Sequence, residues 1–126
     1  MEYKNVTALI IDDVSVVRQL LIKELREIGF EHFYEAADID DAWFKINNTD
    51  ISLVFSDWNM PNGDGIDLLD KVRSSDQEKL KYLKFVMVTG AHDKAFLAMD
   101  SGAHNIIHKP FNKINILRKL ELLYRK

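Results

Sequence analysis

Two apolar runs without polar alternation constrain the fold of this chain more than any other feature. Residues 6–11 have the sequence VTALII, and residues 51–56 have the sequence ISLVFS. Runs rich in β-branched and large apolar residues predict strands that are buried on both faces. Such strands belong to parallel α/β sheets, in which the carboxyl ends of the strands line the binding crevice.

Acidic residues follow both of these runs. Asp12 and Asp13 come directly after the first run, and Asp57 comes directly after the second. If the two strands are neighbours, three carboxylates converge, and their mutual repulsion requires a cation or raised pKa values. An all-oxygen set of ligands suits a hard divalent ion such as Mg²⁺. A single acidic residue after a strand is more often a turn or cap residue, but three at matching strand ends predict a metal site.

The rest of the chain continues the alternation of strands and helices. The pattern predicts a flavodoxin-like, doubly wound α/β fold with a five-stranded parallel sheet in the order 2-1-3-4-5, which makes strands one and three neighbours. One domain spans residues 1–126, and strand two is an edge candidate. Residues 58–65 are predicted to form a loop, and residues 75–83 the loosest part of the chain. The strands are expected at 6–11, 33–36, 51–56, 85–88 and 105–108, and the five helices at 14–28, 39–47, 66–74, 94–100 and 113–124.

Composition excludes several classes of function. The net charge of −3 gives no basic footprint for nucleic acid. The chain has no cysteine, which excludes disulfides, thiolate zinc sites and thiol catalysis and is compatible with a cytoplasmic protein. The first residues lack the apolar region of a signal peptide, and no apolar run approaches the roughly 20 residues of a membrane span. The four histidines have no zinc-motif spacing and are interpreted as ordinary surface or edge residues.

The other predicted strand ends supply groups suited to phosphoryl transfer. Thr89 ends the fourth strand and Lys109 follows the fifth, whereas the second strand ends without a chemical group. Asp57 stands alone on a central strand beside a loop, so it is the best candidate for a nucleophile that forms an acyl phosphate. Lys109 is the candidate cation for the phosphoryl oxygens, and a hydroxyl can donate a hydrogen bond to one of them.

The metal roles fall to the neighbouring oxygens. Asp12 and Asp13 are candidate metal ligands, directly or through water, and the backbone carbonyl of Asn59 is close enough in sequence to Asp57 to complete the shell. The bond before Pro110 can be cis and could direct the lysine that precedes it.

These residues together resemble the CheY-like receiver domain of bacterial two-component response regulators. The resemblance covers essentially the whole chain and implies that a histidine kinase or phosphotransfer protein donates a phosphoryl group to Asp57. It implies Mg²⁺ binding by Asp13, Asp57 and the Asn59 carbonyl, with Asp12 acting through water and Thr89 acting as the switch hydroxyl. A signalling domain of this kind catalyses only its own phosphorylation and dephosphorylation. The residues that carry the resemblance are Asp12-Asp13, Asp57-Trp58-Asn59-Met60-Pro61, Gly65, Thr89 and Lys109-Pro110-Phe111.

Two departures from the family pattern lie on its output surface, which the resemblance places on helix four, strand five and helix five. Residues 57–61 with Gly65 resemble the chemotaxis subgroup of this family in particular. Ile106 nevertheless stands where many receivers have Tyr or Phe, and the span from Thr89 to Gly102 is a little shorter than in that subgroup. Because Ile106 has neither a ring nor a hydroxyl, we expect the signal to leave the site through Thr89 and residues 90–93.

The sequence has three alternative interpretations. An aspartyl-phosphate hydrolase needs a general acid and a capping element, for which these loops are too short. A flavin or nucleotide carrier needs a phosphate-binding loop after strand one, where this chain has Asp-Asp-Val-Ser. An excised receiver of a longer multidomain regulator remains open beside a stand-alone protein.

Overall fold

The computed structural model describes residues 2–60, 63–90 and 95–124. The main sheet is five-stranded and parallel, with the order β2-β1-β3-β6-β7, so the predicted order 2-1-3-4-5 is confirmed. The described strands are β1 (Thr7–Ile11), β2 (His32–Ala36), β3 (Leu53–Asp57), β4 (Asn59–Met60), β5 (Gly63–Asp64), β6 (Lys84–Thr89) and β7 (Asn105–His108). The described helices are α1 (Ser15–Ile28), α2 (Ile39–Asn48), α3 (Gly65–Arg73), α4 (Glu78–Lys81), α5 (Ala95–Asp100) and α6 (Lys113–Leu123).

Two hydrophobic cores cover the two faces of the sheet. On one face, Leu25 of α1 and Ile116 of α6 pack with Ile10 of β1. On the other, helices α2, α3 and α5 pack against alternate residues of the same strands, including Leu9 of β1. Residues 8–11 and 53–56 are all almost inaccessible to solvent, which explains why their sequences lack polar alternation.

Local sequence signals set most of the helix ends. The Asp38 carboxylate accepts a hydrogen bond from the Asp41 backbone N–H at 2.8 Å and thereby caps α2. Gly29 ends α1 with φ +127°, a conformation that favours glycine.

The prediction of a plain loop at residues 58–65 is wrong for the part that the structure describes. Strands β4 and β5 pair antiparallel there, with Asn59 opposite Asp64. Asp64 then caps α3, because it and Asp67 accept each other's backbone N–H groups. Pro61 of the motif, together with residue 62, lies outside the described residues. The described part of this segment thus forms two short paired strands, and the second of them leads directly into α3.

Residues 75–83 are less loose than the sequence predicts. They contain the single-turn helix α4, and Leu80 and Leu83 are only 4% and 5% exposed. Two leucines at a spacing of three residues provide a buried anchor, which the surrounding lysines mask in the sequence. Within the described ranges there are therefore six helices and not five.

The predicted fourth helix corresponds to α5. Its described part is Ala95–Asp100, whereas Lys94 and the loop residues 91–93 of the predicted signalling route lie outside the described residues. Gly102 follows α5 with φ +104°, as expected for a residue that ends a helix. None of the helices in the described ranges is long and apolar enough to cross a membrane.

Candidate functional site

The pairing of β1 with β3 brings the three predicted carboxylates together. Ile11 lies opposite Ser56 in the parallel register, so the residues that follow, Asp12 and Asp57, lie side by side. One carboxylate oxygen from each of Asp12, Asp13 and Asp57 lies within 4.8 Å of the others. Asp12 is buried and Asp13 is exposed, whereas the Asp57 side chain retains 12% exposure. The cluster thus opens to solvent on the Asp13 side.

Lys109 reaches this cluster from the end of β7. Its Nζ donates hydrogen bonds to Asp57 Oδ1 at 3.0 Å and to Asp12 Oδ2 at 3.1 Å. The backbone N–H of Lys109 donates to the carbonyl of Thr89 at 2.9 Å, and the Lys109–Pro110 peptide bond is cis. A single ammonium group is therefore shared between two carboxylates.

For both Asp57 and Lys109, burial and the oppositely charged neighbours shift the pKa in opposite directions. Burial raises the pKa of Asp57, and the hydrogen bond and charge of Lys109 offset that rise only in part. Burial lowers the pKa of Lys109, but Asp57 and Asp12 outweigh burial and leave that pKa above its usual value. The lysine thus stays charged, while the ionised form of Asp57 remains under-stabilised.

Backbone N–H groups also donate hydrogen bonds to the carboxylates of Asp12 and Asp57. Asp57 Oδ1 accepts the backbone N–H of Trp58 at 2.9 Å, and Asp12 Oδ1 accepts that of Val14 at 2.9 Å. Gly65 at the start of α3 approaches so closely that a Cβ there would lie 2.5 Å from the Asp57 carbonyl oxygen. The requirement for glycine at this position therefore comes from contact with the strand that carries Asp57.

Thr89 and Asn59 lie at the same end of the sheet as the carboxylates. Thr89 is the last residue of β6, is 2% exposed and stands in register with His108 of β7. Asn59 is exposed in β4, two residues after Asp57. The fold thus brings every predicted site residue to one edge of the sheet, and the closest grouping is that of Asp12, Asp13, Asp57 and Lys109.

Sequence reasoning misses Arg18 and Glu35. The Arg18 guanidinium donates to the backbone carbonyl of Asp12, and its Nε donates to Glu35 Oε1 at 2.9 Å. Arg18 lies off the apolar stripe of α1, and the second strand gives no chemical signal at its end. The spacing of six residues between Asp12 and Arg18 on a strand–helix connection is the one local hint, and it is weak without the fold.

The chemistry of the donor set fits a hard divalent cation. The clustered side chains offer only carboxylate oxygens, which Mg²⁺ prefers. Two of the carboxylates are buried or nearly so, and a cation would relieve the cost of ionising Asp57.

Comparisons with known proteins agree with this arrangement. The sequence model of the family described as the response regulator receiver domain matches residues 8–121. Chemotaxis protein CheY-3 of Vibrio cholerae is 34% identical over 125 residues, covering 98% of this chain and 95% of that protein. Chemotaxis protein CheY1 of Helicobacter pylori is 35% identical over 118 residues, with coverages of 91% and 94%.

Solved structures give the same result. A putative response regulator from Chloroflexus aurantiacus superposes with a TM-score of 0.84 at 27% identity, covering 94% of this chain and 98% of that chain. The chemotaxis response regulator CheY4 of Vibrio cholerae superposes with a TM-score of 0.83 at 28% identity, with the same coverages.

Proposed function

This chain belongs to the response regulator receiver domain family, and on that premise we propose that it accepts a phosphoryl group on Asp57 in a Mg²⁺-dependent reaction. The donor would be a histidine kinase or a phosphotransfer protein, as two-component signalling requires. The chain is thus a signalling domain and not an enzyme that turns over an external substrate. We further propose that residues 1–126 act as one receiver unit.

The observation that carries this proposal is the half-buried Asp57 carboxylate beside Lys109. A carboxylate is a competent nucleophile toward a phosphoryl group and forms an acyl phosphate. Asp57 combines a raised pKa with a position 3.0 Å from a permanent cation. The ammonium group of Lys109 already lies beside the carboxylate that would react. It can therefore neutralise the negative charge of the phosphoryl oxygens without a large rearrangement of the site.

Asp13, Asp57 and the Asn59 carbonyl would hold Mg²⁺, with Asp12 contributing through water. The metal would supply neutralisation of the phosphoryl oxygens. Asp12 would also orient Lys109, to which it is hydrogen-bonded at 3.1 Å. Thr89 would provide the hydroxyl that reports the phosphoryl group to the rest of the fold.

We propose the surface of α5, β7 and α6 as the output face. Three apolar side chains on the short helix α5, namely Phe96, Leu97 and Met99, are 42–62% exposed. Ile106 of β7 is only 5% exposed, which supports a switch that does not depend on a side chain at that position swinging between core and solvent.

A small phosphodonor tests the acceptor assignment. Acetyl phosphate with Mg²⁺ should add one phosphoryl group that is labile to base, as an acyl phosphate is. Intact-mass measurement should detect this adduct in the wild-type protein and lose it in Asp57→Asn. The matched control is Asp50→Asn, because Asp50 is an exposed aspartate outside the site. Equal labelling of wild type and Asp57→Asn would show that the acceptor lies elsewhere.

A further inference from the structure

Arg18 occupies an unusual place for a cation beside a candidate cation site. Its side chain is only 15% exposed, and it donates to the backbone carbonyl of Asp12. A positive charge here should weaken the binding of a divalent cation to the neighbouring carboxylates through space. Electrostatics alone therefore gives Arg18 no favourable role in binding a cation at this site.

The contact with the Asp12 carbonyl gives it a geometric role. That carbonyl belongs to the planar peptide unit that joins Asp12 to Asp13. The N–H of Asp12 donates to the Ala36 carbonyl at 3.1 Å, so both peptide units that flank Asp12 are held in place. Fixing the second unit sets the direction in which Asp13 leaves the strand. Asp13 is the exposed member of the cluster, and it has no helix or strand of its own to orient it.

The edge strand β2 completes this support. Glu35 Oε1 accepts hydrogen bonds from Arg18 Nε at 2.9 Å and from Gln19 Nε2 at 2.8 Å. These bonds tie the first turns of α1 to β2 while the other end of the guanidinium holds the Asp12 carbonyl. Lys45 of α2 in turn donates to the Glu35 backbone carbonyl. The orientation of Arg18 thus depends on three elements of the fold.

We propose that Arg18, held by Glu35, is a positioning residue that orients the Asp12–Asp13 peptide for a divalent cation. This inference rests on the proposed Mg²⁺ site and adds to it a support outside the ligand shell. Residues that orient metal ligands typically change affinity by about 10- to 100-fold when they are removed.

Titration with Mg²⁺ alone, followed by Trp58 fluorescence in a Trp43→Phe background, separates positioning from electrostatics. Positioning predicts that Arg18→Met weakens Mg²⁺ binding about tenfold. It also predicts that Glu35→Gln stays near wild type, because the amide oxygen still accepts from Arg18. A through-space effect predicts the reverse order, with tighter binding in Arg18→Met and weaker binding in Glu35→Gln.

Two further variants separate positioning from a through-space effect. Arg18→Lys keeps the charge but lacks the planar fork that reaches both acceptors, so positioning predicts a loss of Mg²⁺ affinity and electrostatics predicts none. Arg26→Met removes an arginine from the same helix whose guanidinium lies over Phe33 instead of at the site, and it should leave Mg²⁺ affinity unchanged.

Metal selectivity distinguishes positioning from a general loss of stability. Mg²⁺ demands nearly ideal geometry, whereas Ca²⁺ accepts flexible coordination, so Arg18→Met should lose more affinity for Mg²⁺ than for Ca²⁺. If Arg18→Met lost equal affinity for Mg²⁺ and Ca²⁺, or kept the wild-type affinity for Mg²⁺, the positioning role of Arg18 would be overturned. The proposed Mg²⁺ site would still stand. The wild-type protein should show a saturable fluorescence response to Mg²⁺, and Asp13→Asn should abolish it. If wild type shows no such response, or if Asp13→Asn keeps it, the Mg²⁺ site is wrong and this inference falls with it.

Discussion

The two ends of the parallel sheet treat buried charge in opposite ways. At the carboxyl end, the buried carboxylates of Asp12 and Asp57 share the single ammonium group of Lys109, and Asp13 adds a further negative charge nearby. At the amino end, the guanidinium of Arg73 is surrounded by backbone carbonyls. We call this second group, made of Arg73 and the atoms it contacts, the Arg73 clamp.

The Arg73 clamp joins elements that are distant in the sequence. Arg73 Nε donates to the Gly102 carbonyl at 2.9 Å, and Nη1 donates to the carbonyls of Leu83 at 2.8 Å and Lys81 at 3.1 Å. Its Nη2 lies 3.2 Å from His104 Nδ1, which also accepts the backbone N–H of Phe85 at 3.2 Å. The clamp therefore ties the end of α3 to the starts of β6 and β7.

The two ends of the sheet differ in the role of their charged groups, which is structural at the amino end and suited to binding and reaction at the carboxyl end. Each nitrogen of the Arg73 guanidinium lies within 3.2 Å of a neutral acceptor, so the clamp serves to join elements of the fold. At the carboxyl end, acidic groups outnumber cations, and the pKa of Asp57 stays raised by burial despite Lys109. An excess of negative charge destabilises the folded state, and a bound cation would relieve it. Such an arrangement is typical of a functional site.

The largest effect expected from this comparison is the loss of the clamp. Arg73→Met should lower the free energy of unfolding by about 3 kcal/mol, because three backbone carbonyls lose a charged donor. Thermal melting should show a decrease of about 10 °C in Tm. Arg118→Met, an exposed arginine on α6, is the matched control.

Labelling by acetyl phosphate should survive Arg73→Met at a temperature where the variant is folded, because the clamp lies at the opposite end of the sheet. If Arg73→Met had the wild-type Tm but was labelled less by acetyl phosphate, the two ends of the sheet would not have separate roles.

An effect of opposite sign is expected at the carboxyl end. Folding raises the pKa of Asp57 above 3.8, so the folded state binds the proton more tightly. The resulting cost to stability appears as pH rises from 3.8 through the folded pKa and is fully present once the carboxyl is ionised. Asp57→Asn removes this cost and should raise Tm in EDTA at neutral pH by about 2 to 5 °C.

Asp13→Asn should give a smaller rise, because Asp13 is exposed and its repulsion from the other carboxylates is screened by solvent. Added Mg²⁺ should stabilise the wild type more than either variant and narrow the gap in Tm. A lower Tm in EDTA for both variants would show that the cluster is not strained.

The smallest effect concerns His104, which is exposed as predicted but is not an ordinary surface histidine. Burial, followed by the charges of Arg73 and Lys84, lowers its pKa from 6.5. The unfolded state then binds the proton more tightly, so the stability that neutral His104 contributes is lost as pH falls below 6.5. Protonation would also remove the lone pair that accepts the Phe85 N–H.

The matched variant is His104→Asn, because an amide oxygen can replace Nδ1 as an acceptor and does not titrate. Thermal melting between about pH 7.5 and about pH 5.5 should show a shallower decrease for His104→Asn than for wild type. Parallel pH profiles for the two proteins would exclude a contribution of His104.

The parallel fold and the acidic cluster were predictable because their signals are local. An apolar run without alternation predicts a doubly buried strand, and the residue after it must lie at the edge of the sheet. This is how the sequence identifies Asp12, Asp13, Asp57, Thr89 and Lys109. Residues 75–83 show the limit of composition, since a lysine-rich segment is anchored by Leu80 and Leu83.

The side chains at the carboxyl ends of the strands can be predicted from the sequence alone, because strand period and strand ends are properties of short segments. Other contacts become visible only in the folded chain: Lys109 is shared by Asp12 and Asp57, Arg18 holds the Asp12 carbonyl, and Arg73 spans α3, β6 and β7. These contacts depend on desolvation and on distances between residues up to 97 positions apart. Burial and proximity of that kind arise only when the sheet has assembled, so no local pattern encodes them.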